Sequence, residues 1–423
     1  MMRSMFSGVS GLKVHQTKMD VIGNNIANVN TVGYKSQRVT FSDVFSQTLQ
    51  GATSANDDTG RGGVNAMQVG LGVNVSSIDM LMTQGAAQRT DNPFDLMING
   101  DGFMVVGDSS GTYFTRAGAL RQDDDGNLVI SNGMKVQGWL SSYDDTTNKY
   151  VINQQEVQSI NLADPTIQSA NPTMTTKAQV TGNICNTDTT AATTLTFYDS
   201  LGNPYTLGMT LTKADANTWD ITVADVITDA KGNEIAVDDI SVDTDSLEFD
   251  TNGKLITPTD GDIQIKFSGN DTTELETGSV ISNLTVSLTG LTQYATKSDL
   301  DSKTVNGNSA GTLSGYSIGT DGIITATYSN GDKRPIAQVV VASFENQAGL
   351  EKVGDNLYAT TTNSGEFDGV GATGTFNTGV LEMSNVDLAA EFTDMIITQR
   401  GFQANSRIIT VSDEMLQELT NLK

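Results

Sequence analysis

The chain has few residues of a type and spacing that could do chemistry. There is one histidine, His15, and one cysteine, Cys185. His15 has no cysteine near it, no marked Ser/Asp partners, and no G-x-S-x-G elbow occurs anywhere in the chain, so it reads as a packed or solvated helix histidine rather than a metal ligand or a general base. The run "GVGATG" (Gly369–Gly374) spells the dinucleotide fingerprint, but no helix-period pattern follows for a pyrophosphate to sit on. "DDDGNL" (Asp123–Leu128) hints at a calcium loop. Placing Gly126 at its sixth position puts Arg121 first and Asn132 last, where Asp and Glu are needed. No catalytic, cofactor-binding or metal-binding residues emerge, and the expectation is that the chain is not an enzyme. Asp-rich turns could offer carboxylates to a secreted glycan-acting or glycan-binding protein, but no pair is marked out by spacing.

Charge and composition narrow the class. The net charge of −26 excludes nucleic acid as a partner, since phosphate binding needs clustered Lys and Arg. The charge is unevenly spread: residues 1–50 carry Arg3, Lys13, Lys18, Lys35 and Arg38 against Asp20 and Asp43. A mildly basic end on an acidic body fits a membrane-surface helix or an oppositely charged partner. No apolar run reaches the length of a membrane span, and the first 30 residues lack the apolar core of a secretory signal. The expectation is therefore no membrane insertion and, if the protein is exported, export without a cleaved signal peptide. With 42 glycines, 6 prolines and abundant Thr, Asn, Ser and Asp, the balance is that of a β-rich protein with many tight turns.

The elements at the two ends are helical. Met5, Leu12, Met19 and Ile26 repeat every seven residues, and Val9 and Ile22 widen the stripe. This predicts one helix, about 38 Å long at about 25 residues. From Ser384 to Lys423, Leu388, Met395, Phe402, Ile409 and Leu416 keep the same period. Phe392, Ile408, Met415, Leu419 and Leu422 broaden the face. Ser384 with Asp387 three residues on reads as an N-cap with an acidic first turn. Both stripes need partners. The simplest solution is an antiparallel pair of the two helices, with charges of opposite sign on 1–26 and 384–423. Such a pair alone is marginal and requires neighbours, either its own β body or other copies of the chain.

Between the ends, short alternating segments and glycine turns predict mainly β structure in nested antiparallel sandwich-like or barrel-like domains. "FDLMINGDGFMVV" (Phe94–Val106) has the composition of a hairpin around Asn99-Gly100-Asp101-Gly102. "GATSANDDTGRGG" (residues 51–63) reads as a polar loop. The expected plan is a terminal helical polymerisation domain (1–30 and 384–423), connecting segments (31–75 and 376–383), an inner β domain (76–145 and 297–375) and an outer β domain (146–296).

The two ends together resemble a family. "SGLKVHQTKMDVIGNNIANVNTVGYKSQRVTF" (Ser10–Phe41) and "LEMSNVDLAAEFTDMIITQRGFQANSRIITVSDEMLQELTNL" (Leu381–Leu422) are similar to the N- and C-terminal signatures of the bacterial flagellar rod and hook axial proteins. "DNPFDLMINGDGFM" (Asp91–Met104) resembles a third family segment. The long second β region, with "FYDSLGNPYTLGMTLTKADANTWDI" (Phe197–Ile221), looks like hook rather than rod members. The resemblance implies a structural subunit that polymerises with itself into a curved tube between rod and filament. It implies rod, hook-cap and hook–filament junction proteins as partners, passage through the flagellar type III export apparatus, and a place on the cell exterior in the flagellum. It makes Asn24, Asn25, Asn28, Gly33, Asn385, Asp387, Gln399 and Arg400 family signature positions. Met5, Leu12, Met19, Ile22, Ile26, Leu388, Phe392, Met395, Phe402, Ile409 and Leu416 become its polymerisation seam. In a polymer, the lone Cys185 reads as a small buried hydrophobe or as a thiol that cross-links copies, for example to a lysine such as Lys177 after loss of its sulfur.

Overall fold

The computed structural model describes residues 2–54, 62–144, 146, 149–237, 240–267, 272–275 and 278–421. Most of the 51–63 loop and Leu422 lie outside the described residues. The chain forms two compact units, one made of 1–163, 316–325 and 335–423, the other of 164–315 and 326–334. The second unit starts and ends later than the expected outer domain. Strands Lys149–Ile152 and Gln158–Ser159 pair with Lys135–Asp144 in the first unit, and Asp299–Thr304 pairs with Lys177–Cys185 in the second.

In the first unit, strand Phe103–Asp108 lies between Gly111–Thr115 and Lys135–Asp144. Strand Lys333–Ala342 pairs with Lys135–Asp144 and reaches back to Phe103–Asp108, bending the sheet into a half-barrel. Its core stacks aromatic rings: Phe114 meets Phe344 edge-on at 4.9 Å and Phe103 lies 5.4 Å from Tyr358. The Asn99–Gly102 turn does not close a hairpin between its flanking strands. Leu96–Asn99 pairs with Thr375–Thr378 instead, so the turn is a corner between two pairings, with Gly100 and Gly102 at φ 92° and 129°.

The second unit is a sandwich. A six-stranded sheet around Pro204–Asp215 and Thr218–Asp229 faces a five-stranded sheet around Lys177–Cys185 and Leu284–Tyr294. Val180, Leu195, Leu207, Trp219, Phe267 and Val286 belong to one common core. The turns at Asp199–Asn203 and Asp229–Asn233 are hairpins, each closed by the aspartate accepting both the backbone N–H and the side-chain amide of the asparagine four residues on. The sheets are not wholly antiparallel: Lys177–Cys185 runs parallel to Leu284–Tyr294. The roughly hundred residues between these strands supply the long crossover that a parallel pair needs.

At the ends, helix Met2–Ala27 packs antiparallel against helix Leu388–Asn421. The cap of the second helix is Asp387, not Ser384. The Asp387 Oδ1 accepts from the N–H of Ala389 at 2.9 Å and of Ala390 at 3.4 Å, whereas Ser384 Oγ takes the Val386 N–H at 3.3 Å.

The helices meet through small and polar residues. A Cβ on Gly8 would come within 3.3 Å of Ile409, one on Gly11 within 2.7 Å of the Asn405 amide, and one on Gly401 within 2.8 Å of the His15 ring. Lys18 Nζ then meets Asp394 at 3.5 Å, and Asn25 meets Glu391 at 2.8 Å. Along the first helix Val14, Ile22 and Asn25 are buried, while Met5, Leu12, Met19 and Ile26 are half-buried on the flanks. Met395, Phe402, Ile409 and Leu416 are also half-buried, and Leu388 and Phe392 are exposed. Glycine at 8, 11 and 401 leaves room for the side chains of Ile409, Asn405 and His15 on the facing helix, with the other large apolar seam residues half-buried or exposed around them.

This close approach is testable. Gly11→Leu forces a branched side chain into Asn405 and is expected to destabilise the helix pair by about 1–3 kcal/mol, read as a lower melting temperature of the helical circular-dichroism signal. Adding Asn405→Ala should restore part of the loss; a stabilised Gly11→Leu protein would contradict the packing.

Candidate assembly site at the chain ends

The two connecting segments enter the first β unit side by side and are locked there by one buried carboxylate. Strand Val380–Glu382 pairs with Ala87–Arg89, which directs Glu382 inward, where it is 1% exposed. Its Oε1 accepts from Lys35 Nζ at 2.6 Å and from the Gly85 N–H at 2.9 Å. Its Oε2 faces Arg116 Nη1 at 3.5 Å. Lys35 also donates to the Thr83 carbonyl at 2.7 Å, and Arg116 to the Gly100 carbonyl at 3.0 Å. Arg116 lies over the Phe103 ring, 5.4 Å from its centroid. Burial pulls the Lys35 ammonium below its usual range, against the opposing pull of Glu382. Burial also pushes the Tyr358 hydroxyl well above the usual tyrosine range.

Two asparagines finish the joint. Asn25 clamps the backbone of Gln37, accepting its N–H at 3.0 Å and donating to its carbonyl at 2.9 Å, while reaching Glu391 on the other helix. Asn385 accepts the Ser36 N–H at 2.8 Å and donates to the Leu81 carbonyl at 2.8 Å. Between them Tyr34 is buried, hydrogen-bonded to both Asn24 and Asn25, with the Lys352 ammonium 4.2 Å over its ring. Burial raises the Glu391 carboxyl above its ordinary range, and the Asn25 hydrogen bond opposes this only in part. Gly33 sits at φ 70°, and a Cβ there would lie 2.8 Å from backbone atoms of Arg116 and Ala117. No other residue fits that position without moving the β unit.

The joint brings together Asn24, Asn25, Gly33, Asn385 and the Asp387 cap. Asn28 closes the first helix by donating to the Asn24 carbonyl at 2.9 Å. Gln399 and Arg400 lie elsewhere, exposed on the second helix, with Arg400 3.5 Å from Gln403. Tyr34, Lys35, Arg116, Glu382 and Glu391 were missed. The available signal was isolated charge: Lys35 in "TVGYKSQ" and Glu382 in "GVLEMSN" each stand alone in a neutral stretch.

Cys185 is buried, its Sγ 3.1 Å from Thr187 Oγ1. Lys177 opens the strand that Cys185 ends, so the two are far apart within one chain. Asp123, the calcium-loop candidate, already accepts from Asn127 through both oxygens. Among the described residues no group of three or more His, Cys, Asp or Glu is arranged to hold a metal ion.

The second helix also carries a broad apolar surface that none of the described residues covers. Phe392, Ile396, Ile408, Val411, Met415 and Leu419 are 44–59% exposed, along with Phe6 and Val9 on the first helix. A run of this size and spacing exceeds the scattered apolar exposure normal for a monomer.

Four stretches match known family patterns. Residues 5–35 match the flagella basal body rod protein, and 97–174 the flagellar hook protein FlgE/F/G D1 domain. Residues 166–308 match the flagellar basal body protein FlaE D2 domain, and 377–422 the flagellar basal body rod FlgEFG protein C-terminal. Across 461 aligned residues the chain is 39% identical to the flagellar hook protein FlgE of Borreliella burgdorferi, with 100% of each chain covered. The chain belongs to the flagellar hook protein FlgE family of rod and hook axial proteins. It is also 38% identical to the FlgE of Treponema pallidum over 471 residues and 30% identical to the flagellar basal-body rod protein FlgG of Bacillus subtilis over 428, with 100% of each chain covered. The two terminal family matches end and begin around the joint: the first stops at Lys35 and the second takes in Glu382 and Asn385.

Removing the shared anion tests the joint. Glu382→Gln leaves Lys35 and Arg116 buried without a counter-charge and is expected to cost about 3–5 kcal/mol, measured as a shift in the urea unfolding midpoint of the full chain. An unchanged midpoint would contradict the role given to Glu382.

Proposed function

We infer that the chain is the structural, non-enzymatic subunit of the bacterial flagellar hook. It polymerises with itself into a curved tube that encloses the export channel and passes torque from rod to filament as a universal joint. What supports this reading is the apolar surface of the C-terminal helix, which none of the described residues covers, in a chain of the hook family. Other copies are its natural cover, because burying these side chains contributes roughly 25 cal/mol per Å² of apolar surface. Many such weak contacts can slide and re-form as the tube turns.

The partners that follow are the flagellar rod below, the hook–filament junction proteins above, the hook cap during growth, and the flagellar type III export apparatus, through which the subunit leaves the cell without a cleaved signal. The hook on the cell exterior is then its place. The full-length similarity to a protein named for the basal-body rod favours a second reading, another axial protein of the rod or junction. A deletion strain that still builds complete hooks would decide for it.

Assembly is the direct readout. Phe402→Asp and Leu416→Asp on the half-buried flank, and Ile396→Asp and Val411→Asp on the exposed face, should leave both β units folded and prevent polymer formation. Normal hooks by electron microscopy from all four would overturn the assignment. For Cys185 the proposal is a covalent link between copies: elimination expels its sulfur as hydrogen sulfide, and the amine of a lysine from another copy adds across the double bond left behind. Denaturing gels of polymer should release more monomer from Cys185→Ala than from the unaltered chain, and identical yields would sink it.

A further inference from the structure

An asparagine followed by glycine can close on itself, because glycine has no side chain to shield its backbone nitrogen. In that reaction the glycine nitrogen attacks the side-chain carbonyl carbon of the asparagine. It needs a glycine N–H free to lose its proton and an asparagine side chain free to turn back onto the main chain. The chain holds five such pairs, beginning at Asn99, Asn132, Asn252, Asn306 and Asn330.

Four of the five are held away from it. The N–H groups of Gly133, Gly253 and Gly331 donate to the carbonyls of Ile130, Asp250 and Tyr328 at 2.9, 3.0 and 3.0 Å. The side chains before them are engaged as well. Asn132 accepts the Met134 N–H at 3.1 Å, Asn252 donates to Asp250 at 3.4 Å, and Asn330 donates to the Ser309 carbonyl at 2.9 Å. Asn306 is bound at both ends of its amide. Its Oδ1 accepts from the Thr176 and Lys177 N–H groups at 3.1 and 2.9 Å, and its Nδ2 donates to Thr176 Oγ1 at 2.6 Å.

Asn99 differs on each count. Its side chain is exposed and, like the Gly100 N–H, has no hydrogen-bond partner among the described residues. Its main-chain carbonyl accepts the Thr375 hydroxyl at 3.0 Å, which makes the following N–H more acidic. The next carbonyl, that of Gly100, accepts from Arg116 at 3.0 Å. Both contacts favour negative charge developing on the nitrogen between them. The Asp101 carboxylate opposes them but stands in solvent, which screens it.

We propose that Asn99 is a site of spontaneous covalent modification, deamidating ahead of the other four because the fold protects them and not it. A bond forms between the Gly100 nitrogen and Asn99 Cγ, the bond from Cγ to Nδ2 breaks, and the proton lost by Gly100 leaves with that nitrogen as ammonia. Water then opens the succinimide at one of its two carbonyls, giving aspartate or isoaspartate. Either product gains a negative charge. Isoaspartate also routes the main chain through the former side chain and lengthens it by one methylene. The change falls at the corner where Leu96–Asn99 leaves its pairing with Thr375–Thr378 and the chain turns into strand Phe103–Asp108. Lengthening that corner draws the Gly100 carbonyl away from Arg116.

The test is peptide mapping by mass spectrometry of the full chain aged in mildly alkaline buffer. An isoaspartyl carboxyl methyltransferase with a labelled methyl donor marks the isoaspartate formed. Asn99 should lose its amide before the other four asparagines, and the methyl label should fall on the peptide that contains it. Asn99→Gln, whose longer side chain closes a less favoured ring, should remove most of that label. Thr375→Val should slow the loss at Asn99. In chain held unfolded in urea, where no turn protects the other pairs, the lead of Asn99 should vanish. Earlier conversion at any of the other four in the folded chain, or a lead of Asn99 that persists in urea, would overturn the proposal.

Discussion

Everything at the two chain ends depends on one buried carboxylate. Glu382 takes Lys35 from the segment leaving the first helix, Arg116 from the β unit and the Gly85 N–H into a single site that water does not reach. A buried ion cluster of this kind adds little net stability compared with a well-packed apolar core. What it fixes is register: residues more than 300 positions apart in sequence can satisfy their charges only in one arrangement. Asn25 and Asn385 repeat this logic with uncharged groups, each binding backbone that belongs to another segment. The helices therefore leave the β unit at a set position.

Given that anchor, the helix pair can use a thin interface. Gly8, Gly11 and Gly401 bring the backbones close, and Lys18–Asp394 and Asn25–Glu391 fix the stagger. Ile409 packs on Gly8 between the helices, while many other large apolar side chains on the C-terminal helix face outward. A surface that would be a liability on a monomer becomes the means of association in a family whose members build tubes. The second β unit is independently cored around Trp219 and Phe267 and does not require the helices for its packing.

Much of this was legible in the sequence. The seven-residue repeats predicted both helices and their pairing, because periodic apolar residues report an amphipathic face whatever covers it. Those repeats did not reveal that glycine and polar residues would form the contact itself. Gly8 and Gly11 look like helix breakers until the facing helix is in place. The turn at Asn99–Gly102 has hairpin composition, yet its strands pair elsewhere, a choice made by partners near residue 376 that local pattern cannot see. The parallel pairing of Lys177–Cys185 with Leu284–Tyr294 was hidden for the same reason. Of the joint, the signature positions Asn25, Gly33 and Asn385 were marked by family resemblance, while Lys35, Arg116 and Glu382 were not. A lone charge in an apolar stretch predicts burial only when its counter-ion is known, and here the counter-ion lies hundreds of residues away.

We propose that the ends of the chain are an assembly device whose apolar surface is buried by other copies. Electron cryo-microscopy of the polymer formed from the full-length chain at high salt tests it most directly. The expected result is a tube in which each subunit keeps Gly11 against Asn405 and Asn25 against Glu391, with Phe392, Ile396, Val411 and Met415 packed against neighbouring subunits. A tube with those four side chains facing solvent, or with the terminal helices apart, would contradict it.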